Sequence, residues 1–396
     1  MIAVISEEEA RSRMLEKIGL LPERAVPLAK ALACFAAQDY FARLPLPAFD
    51  NSAMDGYAVV ASSSKKGHRL HVIGEQPAGA NRWLRMSLGE AVRIFTGAPV
   101  PDGADAVVMQ EDVTPDGDEI VVNVEVEPGE FIRRHGCDLA EGQRILTKGE
   151  RLGATTIALL ASQGIADVMV GGDVRAAILS TGDELAKPGG AKVEPGQIYD
   201  SNSALLSALV QRCGVIVKSE EHCRDDRERL TEAIKRGIKN NILIISGGVS
   251  VGEHDLVRDA LYKLGAQIEV WRVAIKPGKP FLFGQLNQCA VFGLPGNPVS
   301  AFVTFLQFVR PAILKMMGST NLDLPQLPAK LTVDLTNDSD RAHYIRGRLE
   351  HGRFTPVGHQ ESHALFGLSQ SNALLRLAVS QSLKADEIVD VQIWDW

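Results

Sequence analysis

The sequence predicts a multidomain α/β protein, and three observations carry that prediction. The chain has 396 residues, too many for one ordinary hydrophobic core. Residues 174–317 alternate short apolar runs with amphipathic stretches, which is how a largely parallel sheet with covering helices reads. Residues 45–150 and the tail from 328 onward instead carry closely spaced short apolar runs, the pattern of β-rich domains.

Taken in order, Ser6 and Glu9 have capping-box spacing, and Met14, Leu15 and Ile18 form an apolar stripe, so a helix is expected over 6–18. A second helical piece is expected over 25–40. Strands follow at 70–73, 92–95, 106–109 and 120–124, and residues 152–170 read as a helix and then a strand. In the α/β region VRAAILS, 215–218, NILIIS, 268–270, 281–283 and 290–292 are strands. Residues 202–213, 226–239, 256–264 and a long segment from Pro298 are helices, the first capped by Ser201 or Asn202. In the tail, AKLTVDL, NALLRLAVS and EIVDVQIW give a small C-terminal β-barrel. The expected domains are a discontinuous N-terminal linking domain (1–44 and 140–173), an inserted, mostly β lobe (45–139), the α/β domain (174–325) and the barrel (326–396).

A net charge of −7, from 42 basic and 49 acidic residues, argues against a general nucleic-acid binder. An anionic ligand must therefore be held by local geometry. The five cysteines are scattered and never spaced C-x-x-C, which suits free thiols in a reducing compartment. The N-terminus lacks a basic region followed by an apolar stretch. The apolar run 299–317 is interrupted by Gln307, Arg310 and Lys315, so it is expected not to span a bilayer. A cytoplasmic enzyme without a membrane or nucleic-acid partner is the expected class.

The chemistry is expected beyond the carboxyl ends of the parallel strands. Three loops there are rich in small residues: Thr181-Gly182-Asp183-Glu184, the stretch running on from Ser246 through Gly247, Gly248 and Ser250 to Asp255, and Gly293 to Ser300. Small residues let backbone N–H groups approach an oxyanion or phosphate, and a following helix adds its dipole. The same loops carry Glu184, Asp225 and Asp255. Carboxylates beside a phosphate site repel the ligand unless a hard cation bridges them, so Mg2+ is expected. For Asp225 and Asp226 a helix N-cap is an equal alternative. Lys276 and Lys279, in the stiff frame Lys-Pro-Gly-Lys-Pro, supply fixed positive charge. Upstream, Asp50 to Tyr57, Thr96 to Pro99 and Arg133 to Asp138 are polar, constrained loops. There an Asx-turn role suits Asp50 and Asn51, and Asp55 and Asp138 are candidates for binding. In the tail, Arg341, His343 and Arg346 with Gln360, Ser362 and His363 read as polar loops, either reaching an anion or forming a solvated barrel surface.

FDNSAMDGYAV, FTGAPVPDGADAVV, RRHGCD, STGDEL, GQIYDSN, SGGVSVGEHD, IKPGKP and GLPGNPVSAFVTF occur in this order across nearly the whole chain. With them the sequence resembles the molybdopterin molybdenumtransferase family, which includes bacterial MoeA and the E domain of gephyrin. The resemblance implies an α/β domain similar to the molybdopterin adenylyltransferases and an elongated homodimer. It implies Mg-dependent insertion of molybdate into adenylylated molybdopterin, with release of AMP. Matched motif by motif, Asp55, Thr96 and Asp138 would face the α/β loops of the other subunit. Glu184, Asp225 and Asp255 match acids that handle magnesium and substrate. Lys276, Lys279 and Ser300 match positions around the oxyanion, with Pro295 and Pro298 shaping that loop. Arg346 and Ser362 match tail residues near the molybdate. Partners implied are the adenylyltransferase and cofactor-accepting molybdoenzymes. Two rival readings are a molybdopterin adenylyltransferase and a non-enzymatic gephyrin-like scaffold. The additional N-terminal lobe and the Lys-Pro-Gly-Lys-Pro loop argue against the first, and the full set of acids and lysines against the second.

Overall fold

The computed structural model describes residues 4–79, 82, 84–190, 192–249 and 256–394. Two compact units emerge, one made of Met1–Gln38, Lys148–Ile157 and Ala166–Trp396, the other of Asp39–Thr147 and Ala158–Ile165.

The smaller unit is built on a six-stranded sheet ordered Ala106–Met109, Gly56–Val59, Glu90–Ile94, Arg69–Gln76, Glu119–Val122 and Val113–Asp116. The period-2 pattern of these strands buries Ala58, Val92, Ile94 and Val107 on one side and Val59, Leu70, Ala91, Val108 and Ile120 in a second cluster. Gly56 has a reason in this packing, because a Cβ there would lie 1.9 Å from the Val108 carbonyl oxygen. Gly56→Ala should therefore destabilise this unit by about 1–3 kcal/mol through forced backbone displacement. Chemical denaturation checks this, and an unchanged midpoint would contradict it.

The larger unit opens with helix α1, Glu7–Lys17. Ser6 caps it by accepting from the Glu9 N–H at 3.1 Å, three glutamates occupy its first turn, and Ala10 and Met14 form its buried stripe. The helix expected over 25–40 does not form. Arg24–Pro27 is instead a strand antiparallel to Asp167–Val170, followed by one tight turn at Leu28–Lys30. Pro27 has no N–H to give a helix, Ala33 takes a positive φ of 65°, and Phe35 and Ala36 bridge to Arg151 and Val170.

The α/β portion comprises β1 (Arg175–Thr181), α2 (Ser201–Arg212), β2 (Ile216–Cys223), α3 (Arg227–Gly237), β3 (Ile242–Ser246), α4 (Leu256–Lys263), β4 (Gln267–Trp271), β5 (Leu282–Leu286), β6 (Cys289–Leu294) and α5 (Pro298–Met316). The sheet order is β2-β1-β3-β6-β5-β4, parallel from β2 to β6 and antiparallel at β5 and β4. Strands β1, β3 and β6 are buried on both faces, which is why they read as unbroken apolar runs. Asp200, not Ser201 or Asn202, caps α2, and Asp226 caps α3.

Helix α5 has 19 residues, mean hydropathy 1.3 and 94% of its length buried in the fold. By length and composition it is apolar enough to cross a membrane, but its burial inside the protein is that of a core helix. Its polar residues are satisfied inside the protein: Gln307 donates to Gln392, Arg310 to the Leu322 carbonyl and Lys315 to the Leu15 carbonyl. A π-helical turn over Phe305–Val309 lies at its middle.

The tail is a closed five-stranded barrel of β7 (Gln326–Leu331), β8 (Ala342–Glu350), β9 (Arg353–Pro356), β10 (Ala373–Leu377) and β11 (Ile388–Ile393). It runs β8-β9-β7-β11-β10 and closes through β10–β8 pairing. Strand β8 overturns the sequence reading of 341–346 as a loop. Its run of charged residues masks a strand whose first six residues are all buried.

Candidate active site

At the carboxyl ends of β1, β3 and β6 lies a cavity of about 630 Å3. Its floor is made by glycine loops that the fold cannot build otherwise. Gly247 and Gly248 have φ of 87° and 66°, and a Cβ on them would meet the Thr181 carbonyl oxygen at 2.5 Å and a Val257 methyl at 2.6 Å. Gly296 is different: an added Cβ would meet only the Gly247 Cα, at 3.8 Å. Nothing in the fold demands glycine there, and its bare surface opens into the cavity.

Glu184, Asp225, Ser246, Pro295 and Pro298 line this cavity. The sequence reading missed Asn202. It sits in the first turn of α2, is buried, and donates from Nδ2 to Ser246 Oγ at 2.9 Å and to the Gly296 carbonyl at 2.7 Å. Because Asp200 takes the capping task, the Asn202 amide is free to tie two of the loops together. Asp225 accepts from the Thr181 hydroxyl at 2.7 Å, so it is not the cap of α3. Ser250 and Asp255, named from the sequence, lie outside the described residues.

A second cavity, about 600 Å3, adjoins the first, and Pro280, Pro295, Asn297 and His363 line both. Lys276, Lys279, Ser300 and Ser362 wall this second space together with Arg341 and His343. The lysine loop is positioned by parallel pairing of Ile275 and Lys276 with Ala342 and His343 at the start of β8. Its glycine, Gly278, has φ 118°, and a Cβ would press on Thr304 at 2.7 Å. Among the described residues neither lysine makes an ion pair or a side-chain hydrogen bond. Ser362 Oγ accepts from Asn297 at 2.9 Å and the Ser362 carbonyl accepts from the Val299 N–H, which staples the tail loop to the start of α5.

The cavities differ in charge. Glu184, Asp200 and Asp225 line the first, whereas Lys276, Lys279 and Arg341 face a single acid, Glu361, in the second. Burial, then Lys276, Arg341 and Arg346, push the His343 imidazole down to about 4, so it is uncharged at neutral pH.

Arg346 corrects the solvated-surface reading of the sequence. It is neither a solvated barrel residue nor a wall of the cavity: it is 1% exposed, behind the tail loop, and donates from Nη1 to the Glu361 carbonyl at 3.3 Å. Among the described residues its buried Nε and Nη2 have no partner. Gln360, read from the sequence only as part of a polar loop, clamps the Arg346 backbone, accepting from its N–H and donating to its carbonyl, both at 3.0 Å.

Asp55, Thr96 and Asp138 belong to the smaller unit and are exposed. Asp55 accepts from the Thr96 N–H at 2.7 Å and hydroxyl at 2.8 Å, and these two bonds hold its carboxyl below the usual range. Asp50 makes no local Asx turn. It accepts from Arg134 and from the His135 N–H, fastening the two loops to each other.

A Mg2+ ion fits this donor set. Among the described residues no group of three or more His, Cys, Asp or Glu side chains converges on one point, which speaks against an all-protein cage. Two carboxylates on the wall of a cavity with phosphate-suited loops match the sparse protein ligation that Mg2+ prefers.

Residues 5–164 match the MoeA N-terminal region (domains I and II), 177–315 a probable molybdopterin binding domain, and 328–394 the MoeA C-terminal region (domain IV). A molybdopterin molybdenumtransferase of Haemophilus influenzae is 37% identical, with 98% of each chain covered. Molybdopterin molybdenumtransferase 2 of Mycobacterium tuberculosis is 36% identical over 93% of this chain and 94% of the relative. Among solved structures, the molybdopterin biosynthesis moeA protein of Pyrococcus horikoshii OT3 superposes with a TM-score of 0.84 at 29% identity, covering 99% of this chain and 100% of that one.

Proposed function

The chain belongs to the molybdopterin molybdenumtransferase family, an enzyme family of molybdenum cofactor biosynthesis, and from that premise we propose that it inserts molybdate into adenylylated molybdopterin with release of AMP. The observation that carries this reading is the pair of adjoining cavities of opposite charge. One suits a pyrophosphate on glycine-lined loops, and the other suits a tetrahedral oxyanion between lysines.

In this reading Ser246, Gly247, Gly248 and the Gly296 backbone seat the pyrophosphate, and Asn202 keeps their loops in register. Glu184 and Asp225 would hold Mg2+, which neutralises phosphate charge when bound. Lys276 and Lys279 hold the substrate molybdate, with Ser300 and Ser362 as hydroxyl partners. Positioning and charge neutralisation supply the catalysis, and no side chain acts as a covalent nucleophile. We also propose a homodimer in which Asp55, Thr96 and Asp138 of a second copy meet the substrate, acting in the cytoplasm.

The direct test is AMP release from adenylylated molybdopterin by the purified full chain. Turnover should require molybdate and respond to magnesium, and AMP release independent of both would overturn the proposal. Lys279→Ala should lower turnover at limiting molybdate about ten- to a hundredfold, the worth of one charge-assisted hydrogen bond. Normal turnover by that variant would remove the lysine from the site. Gly296→Ala should melt like the parent protein yet bind the adenylylated pterin about tenfold more weakly, because its methyl occupies ligand space. Unchanged binding would mean that this glycine faces no ligand.

A further inference from the structure

We propose that His343 is a ligand of the oxyanion in the lysine cavity, hydrogen-bonding one anion oxygen through its ring. The inference rests on the reading of that cavity given above and adds to it a binding group that motif matching did not supply.

Three observations carry it. His343 is the second residue of β8, and its register partner across the parallel pair is Lys276, so strand pairing sets the imidazole beside a lysine on the same wall. The side chain is 8% exposed and its Nε2 is buried with no hydrogen-bond partner. A buried polar nitrogen left unpaired is costly, and a leucine or phenylalanine would fill the position without that cost. The charges around it are Lys276, Arg341 and Arg346, and the acid on the same wall, Glu361, is exposed and pairs with His363. Among the described residues no carboxylate is placed to satisfy the ring.

A tetrahedral oxyanion among these cations would supply the missing acceptor. The held-down basicity of the ring fits this task, since an additional charged side chain would meet strong repulsion from the cations already present. A neutral imidazole contributes a directed hydrogen bond and no further charge.

The test is calorimetric titration of the full chain with sodium molybdate at fixed ionic strength, comparing wild type with H343F, H343Q and K279A. H343F should bind about tenfold more weakly or worse, while H343Q, which keeps a side-chain donor, should stay within about threefold of wild type. Wild-type affinity in H343F together with weak binding by K279A would overturn the role of His343 alone. Wild-type affinity in both would overturn the cavity reading itself. A second measurement covers a variant that fails to fold. In wild-type protein labelled with 15N-histidine, molybdate should shift the His343 ring nitrogens, identified by their absence in H343Q. A packing role would leave those signals in place at saturating molybdate, and that result would overturn the proposal.

Discussion

Replacing Glu7 by alanine should destabilise the larger unit by about 3–5 kcal/mol, the cost of removing one partner from a buried charged network. Glu7 is 8% exposed and accepts from the Tyr344 hydroxyl and from Arg376 Nε, the latter at 2.8 Å. These contacts tie α1 to β8 and β10, elements more than three hundred residues apart in the chain. Burial, and after it the Glu7 carboxylate, push the Tyr344 phenol well above its ordinary value, so it stays protonated and donates. Truncation leaves the Tyr344 hydroxyl and the inner face of Arg376 without an acceptor. Glu8 is the internal control. It meets Arg376 Nη2 at 2.7 Å but is largely exposed, so Glu8→Ala should cost less than about 1 kcal/mol. Guanidinium unfolding of both variants makes the comparison, and equal losses would show that the network contributes no more than a surface ion pair.

The sequence was most legible where one physical signal acted alone. Helix α1 follows from the Ser6–Glu9 capping box and the stripe of Met14, Leu15 and Ile18, and the doubly buried strands β1, β3 and β6 follow from unbroken apolar runs. The glycine loops and the lysine loop were also visible, because glycine and proline restrict the backbone locally. Failures occurred where tertiary partners overrode the local pattern. Residues 25–40 carry apolar spacing suited to a helix, yet Pro27 and pairing with Asp167–Val170 make the first of them a strand. Strand β8 was read as a polar loop because His343 and Arg346 look solvated in a sequence. Their burial depends on barrel closure and on pairing with the tail and lysine loops, and those long-range partnerships leave no local mark. Asn202 was hidden for a related reason: at a helix start it reads as a cap, and only the fold shows that Asp200 already caps the helix. The roles of Asp55, Thr96 and Asp138 were named through family motifs, and their exposed loops carry no chemistry that geometry alone would single out.

Arg346→Met should give the largest functional loss with no matching loss of stability. The guanidinium is 1% exposed, two of its three nitrogens have no partner, and the third makes one long bond to the Glu361 carbonyl. Burial alone pulls its basicity below the ordinary arginine value, and the nearby Glu361 carboxylate offsets only part of that. A methionine of similar length would relieve the desolvated nitrogens, each worth about 1–3 kcal/mol, and forfeit only that bond. The Gln360 clamp grips the Arg346 backbone and survives the substitution. The apo protein should thus melt at the same temperature or higher. Under the proposed function, a doubly charged oxyanion held by Lys276 and Lys279 would give these unpaired nitrogens an acceptor. Turnover at limiting molybdate should fall by about a hundredfold or more, as two charge-assisted bonds are lost. Lysine at this position should rescue little, because its single ammonium lacks the planar fork. The arginine lies behind Glu361, so it reaches the anion only if the tail loop yields, and Ser362, stapled to Asn297, would move with that loop. A variant that loses several kcal/mol while keeping its molybdate dependence would make Arg346 a structural residue and leave the anion to the lysines, hydroxyls and imidazole of the cavity wall.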